Sequence, residues 1–171
     1  MIISGTVFII YPNRVTNDPT CCNYLIDISP LLLSIETEKG GTKTMDRQII
    51  HTEGAPKPVG PYSQAVKADG WLYISGQIPI DPGTGEVVTG PFELQARTVL
   101  DNLTHILEEG GSSLDRVIKV AIFLTDMNCF TQFNTIYTEY FGESRPARSC
   151  VAVGRLPKDA PLEIEAVATC D

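Results

Sequence analysis

The stretch RPARSCVAVGRLPKDAPLEIEAVATC, residues 145 to 170, sets Arg148 two positions before Cys150 and Glu163 two positions before Glu165. Alternate residues of a strand share a face, so this spacing pairs the arginine with the cysteine and the two glutamates with each other. A guanidinium keeps its proton in proteins. Set near carboxylates where water is limited, it is either an ion-pair partner or a planar fork for an external carboxylate. A carboxylate in the same partly dry setting can orient a water molecule and take a proton from it. On these residues alone a structural Arg–Glu pair at a subunit contact is favoured over the ligand-binding reading. Cys150 invites a Cys–His nucleophile, but His105 falls beside an apolar helical stripe and reads as solvated or as a cap to the core, so a thiol mechanism is set aside.

The elements that must position these residues begin at Met45. RQIIHTE reads as a short first strand, and SQAVKADGWLYISG as two strand runs joined by Asp69-Gly70, a strong two-residue hairpin signal. After the Pro/Gly-rich loop QIPIDPGTGEVVTG, Pro91 opens a helix at its first position. Phe92, Ala96, Val99, Leu100, Leu103, Ile106 and Leu107 recur along that helix at three-and-four spacing, until Gly110-Gly111 stops it. RVIKVAIFLT reads as a strand with Ile118, Val120, Ile122 and Leu124 on one apolar face. Asp126 caps a second helix with a stripe of Met127, Phe130, Phe133, Ile136, Tyr137, Tyr140 and Phe141, ended by Gly142. ARSCVAV and PLEIEAVAT are the last two strands, joined by a loop holding Pro157 and Pro161.

The expected order is three strands, helix, strand, helix, two strands: an α+β domain with both helices on one side of a mixed sheet. The opposite side then carries Lys119, Ala121 and Phe123 from the fourth strand and Glu163, Glu165 and Val167 from the last. That set is too apolar to leave wet and too charged for a private core, which predicts that other subunits cover it.

Composition bounds the function classes. At 171 residues with 13 Lys+Arg against 21 Asp+Glu, the chain has a net charge of −8 and no basic patch to track a phosphate backbone, which argues against nucleic acid as the main partner. Five cysteines without Cys-x-x-Cys, and only two histidines, His51 and His105, suggest reduced thiols and no structural zinc. The apolar opening MIISGTVFIIY has no basic leader or small-residue cleavage site, and no run approaches a membrane span, so no membrane partner is expected and a cytoplasmic location is the default. Residues 1–44 differ in kind, with an adjacent Cys21-Cys22 pair and a Gly/Thr/Lys-rich end. With three basic and four acidic residues they do not resemble a transit peptide. They read as a peripheral extension of a domain spanning 45–171, or equally as the product of a start codon placed upstream of a true beginning at Met45.

Four segments carry a family resemblance: GPYSQAV at 60–66, ISGQIPIDPGTGEV at 74–87, RPARSCVAVGRLP at 145–157 and LEIEAVA at 162–168. In this order they resemble the signatures of the RidA (YjgF) family of reactive-intermediate imine deaminases, over about three-quarters of the chain. The resemblance implies a chorismate-mutase-like fold, a mixed six-stranded sheet with two helices on one face, and a homotrimer with clefts between subunits. It implies hydrolysis of 2-imino acids, formed from 2-aminoacrylate or 2-aminocrotonate, to 2-keto acids and ammonia without cofactor or metal. Arg148 would hold the substrate carboxylate and Glu163 would orient or deprotonate the attacking water. The family's substrate-site positions fall on Tyr62, Ser75, Gly76 and Asn134, and backbone groups at Cys150 would face the imine nitrogen. Each has a plain alternative: Tyr62 packing in a turn, Ser75 closing a strand end, Asn134 an exposed helix polar. Glu165 fits a trimer contact better.

Two other functions stay in view. Some members of the same family are described as endoribonucleases that inhibit translation, a role the net charge opposes. A non-enzymatic trimer could bind a small carboxylate and regulate or chaperone another protein. Such a sensor could use the arginine without a water-directing acid, so the presence of both Arg148 and Glu163 favours catalysis.

Overall fold

The computed structural model describes residues 46–171; the expectations for residues 1–45, including the peripheral extension and the alternative start, lie outside the described residues. Six strands form one sheet: β1 (Arg47–Ile50), β2 (Ala65–Ala68), β3 (Trp71–Gln77), β4 (Val117–Leu124), β5 (Ala147–Ala152) and β6 (Leu162–Thr169). Their spatial order is β1-β2-β3-β6-β4-β5. All pairs are antiparallel except β4 with β5, which run parallel because α2 (Phe130–Phe141) carries the chain back between them. The other helix, α1 (Phe92–Glu109), links β3 to β4. This is the mixed six-stranded sheet with two helices that the sequence predicts.

Local chemistry explains the element ends. Asp69 and Gly70 adopt φ of 48° and 81° between the paired Ala68 and Trp71, the double left-handed geometry that matches strand twist in a two-residue hairpin. Gly111, at φ 74°, takes the chain out of α1. The Asp126 side chain accepts from the Asn128 backbone N–H at 2.9 Å and starts a single 3-10 turn, Met127–Cys129, that runs into α2.

The core lies between the sheet and the helices. Ala96, Val99, Leu100, Leu103, Ile106 and Leu107 of α1 and Phe133, Ile136, Tyr137 and Phe141 of α2 meet Val120, Ile122 and Leu124 of β4 and Leu162, Ile164 and Ala166 of β6, all buried. Three sequence expectations shift. Pro91 is the residue before α1, not its first. Ile118 is 43% exposed, because an irregularity in the β4–β6 register between Val117 and Lys119 hands its core place to the buried Val117. Met127 is exposed in the 3-10 turn, off the α2 stripe.

Among the described residues nothing covers the far side of the sheet. Leu162 and Ile164 point to the helices, so Glu163, Glu165 and Val167 point away, beside Ala121 and Phe123. Trp71 and Tyr73 on β3 and Val151 on β5 are exposed large side chains. Among the described residues no helix is long and apolar enough to cross a membrane.

Candidate active site

Glu163 is the centre of the concave part of the open face. β3 departs from regular pairing with β6 between Ile74 and Gln77, and Gly76 lies in that irregular stretch. A Cβ at Gly76 would overlap the Glu163 carboxylate, whose Cδ lies 2.7 Å from that position. The missing side chain is therefore the space the carboxylate occupies. Burial raises the Glu163 pKa above the ordinary carboxylate value, and the like charge of Glu165 raises it further. A carboxylate so placed is a better proton acceptor than a solvated one.

Around it lies a pocket of about 600 Å³ whose lining includes Tyr62, Ser75, Gly76, Gln77, Lys158 and Glu163. The Ser75 hydroxyl donates to the Ser63 carbonyl at 2.7 Å, and the Ser75 backbone N–H donates to the Gln64 carbonyl at 3.0 Å, so β3 is tied to the loop that carries Tyr62. Tyr62 is 54% exposed at the mouth. Lys158, at the pocket wall, and Asp159 hold φ of 55° and 56°, a left-handed pair of non-glycine residues, and Asp159 makes a bidentate, solvent-exposed ion pair with Arg155 at 2.5 and 3.0 Å.

Arg148 and Asn134 do not line this pocket. Arg148 pairs with Val120 in the β4–β5 register and so lies on the helix side of the sheet, whereas Glu163, opposite Phe123, lies on the other. The Arg148 Nη1 donates to Asn134 Oδ1 at 2.8 Å, and its guanidinium carbon stands 4.8 Å from the Tyr137 ring centroid and 5.8 Å from that of Phe130. Within one chain, then, no Arg148–Glu163 ion pair forms. Because β5 is the outer strand, Arg148 sits at a sheet edge, where a neighbouring chain can reach it. Cys150 is half-buried, its thiol pushed up by burial against a smaller opposing effect of Arg148. His105 Nδ1 sits 2.7 Å from the Gly54 carbonyl and His51 Nε2 3.2 Å from Glu53, so both histidines are engaged elsewhere.

Two contributions escape a reading of spacing. Gln64, 2% exposed, accepts from the Thr52 N–H at 2.8 Å and donates to the carbonyls of Thr52, Ala55 and Pro56 at 3.0 Å each, and so builds the loop beside the pocket. Phe130 and Tyr137 fit the apolar stripe but also flank Asn134 at i−4 and i+3, the neighbouring positions of a helix face. That spacing is the signal that could have placed both aromatics with Arg148.

A mixed six-stranded sheet with two helices is an architecture that known proteins share. The sequence profile of the Endoribonuclease L-PSP family matches residues 52–170. A RutC family protein of Pyrococcus horikoshii is 59% identical over 122 residues, covering 71% of this chain and 97% of that protein. Yeast Mmf1 superposes with a TM-score of 0.72 at 41% identity, covering 74% of this chain and all of that one. Escherichia coli TdcF, solved with bound serine, does so with a TM-score of 0.69 at 43% identity, covering 72% and 99%. The chain belongs to the Endoribonuclease L-PSP family, also called RidA/YjgF.

Proposed function

We propose that the protein hydrolyses 2-imino acids to 2-keto acids and ammonia. The observation that carries this reading is Glu163: a half-buried carboxylate with raised pKa, set over Gly76 in a concave site. Serine, seen bound in TdcF, bears the α-carboxylate and α-nitrogen that a 2-imino acid also bears.

The site is completed between chains. One chain supplies Tyr62, Ser75, Gly76 and Glu163, and the edge of another supplies Arg148, Asn134 and the backbone at Cys150. A homotrimer closes three such clefts and covers the open sheet face. Arg148, with one Nη on Asn134, keeps donors free to grip the substrate carboxylate, which fixes the imine carbon in front of Glu163.

Glu163 then takes a proton from water as the oxygen bonds to the imine carbon, and the C=N electron pair moves to nitrogen. Returning that proton to nitrogen makes an ammonium leaving group. The C–N bond breaks as the new hydroxyl gives its proton to Glu163, and ammonia takes that proton as it departs. Atoms and charge balance: iminium plus water gives ketone plus ammonium. The substrate itself is the electrophile, so the proposed steps call on no cofactor or metal.

The test generates an imine in situ with an amino-acid oxidase and follows keto acid formation. The protein should accelerate it. Arg148→Lys keeps the charge but loses the planar fork, and should cut kcat/KM by roughly tens- to thousands-fold in a folded protein. Unchanged keto acid formation with and without the wild-type protein would refute the assignment.

A further inference from the structure

Arg148 is held on three sides by one helix. Asn134 accepts from its Nη1 at 2.8 Å, and the rings of Tyr137 and Phe130 lie beneath its guanidinium carbon at 4.8 and 5.8 Å. The nearer ring is the more firmly placed. Tyr137 is only 7% exposed, stacks on Phe141 with centroids 4.6 Å apart and tilts against Phe133 at 5.7 Å. Among the described residues its buried hydroxyl has no hydrogen-bond partner, so no hydrogen bond there explains a tyrosine. What the ring offers is a negative face aimed at a cation.

We infer that Tyr137 is a positioning residue for carboxylate capture: its ring face holds the Arg148 guanidinium flat at the sheet edge, so the fork is oriented before a ligand arrives. Exposed arginines lose rotamer freedom when they bind, and an arginine already tethered to a buried ring loses less. The hydroxyl is incidental to this role. The inference rests on the reading of Arg148 as the carboxylate-binding group.

Replacing Tyr137 by phenylalanine and then by 4-fluoro-, 3,5-difluoro- and 3,4,5-trifluorophenylalanine keeps the shape of the packed ring while draining its face of negative charge. The readouts are the Kd for 2-ketobutyrate, KM and kcat separately, and melting temperature. We expect Tyr137→Phe to bind like wild type. Kd and KM should rise stepwise with each fluorine, by about three- to tenfold over the series, with kcat and melting temperature nearly level. Equal affinity across the series would reduce Tyr137 to core packing and overturn the inference. A parallel NMR measurement separates this from failure of the functional reading. The Arg148 Nε–H proton should be shifted upfield by the ring in wild type and Tyr137→Phe, and should return toward its ordinary position in Tyr137→Leu. If no variant, wild type included, bound the keto acid, the carboxylate reading of Arg148 would fall, and the inference with it. An upfield shift seen in that case would mark a tether without a ligand. No upfield shift in wild type would overturn the tether itself.

Discussion

Glu163 and Glu165 alternate on β6 with one buried isoleucine between them, and that placement sets a pH dependence. Burial raises the Glu163 pKa first and the charge of Glu165 adds to it. A base must be unprotonated, so imine hydrolysis should fall as pH drops through this raised value. Glu165→Gln removes the like charge, and the acid limb of kcat/KM should move to lower pH; a limb that stays put would assign it to another group. Linkage gives a second outcome. A carboxyl whose folded pKa is raised favours folding below its unfolded pKa, and that advantage is lost as pH rises through the folded value. At neutral pH the ionised Glu163 is therefore a burden on the fold. Glu163→Gln should raise the melting temperature at pH 7, while turnover falls by about a hundredfold or more in the same assay.

At the scale of elements, β3 is the one whose irregularity creates the site. A regular strand would bring a side chain up against the β6 carboxylate, and Gly76 in the irregular stretch does not. Gly76→Ala should leave the melting curve close to wild type and lower kcat by about tenfold or more as Glu163 is pushed from its position, with a crystal structure showing that carboxylate rotated. The period-two and three-and-four patterns made all eight elements legible, and Asp69-Gly70 marked the hairpin to the residue. What escaped was set by contacts distant in sequence. Nothing in RVIKVAIFLT says that the ladder to β6 slips between Val117 and Lys119 and turns Ile118 outward. The spacing of Phe130, Asn134 and Tyr137 puts them on one helix face, but it takes the parallel β4–β5 pairing to lay an arginine across that face. Gly76 was legible as a candidate site position but not as the clearance for Glu163, because the two meet only across a strand pair.

At the scale of the whole molecule, the described residues leave one sheet face bare, with Trp71, Tyr73 and Val151 exposed on it and Glu163 half-buried at its hollow. A face that mixes exposed aromatic side chains with glutamates is a surface suited to a subunit contact. Light scattering at micromolar concentration should give the mass of three chains, and a monodisperse monomer would remove the shared cleft from the proposal. The residues with assigned chemistry are divided between the two sides of the sheet, Arg148 on the helix side and Glu163 on the bare side, and this division has a genetic signature. Two inactive proteins, one carrying Arg148→Lys and the other Glu163→Gln, should complement each other. Unfolded together in equal amounts and refolded, they should recover about a quarter of wild-type turnover, since in the proposed trimer each cleft draws its arginine from one chain and its glutamate from the next. A site built within single chains would recover none.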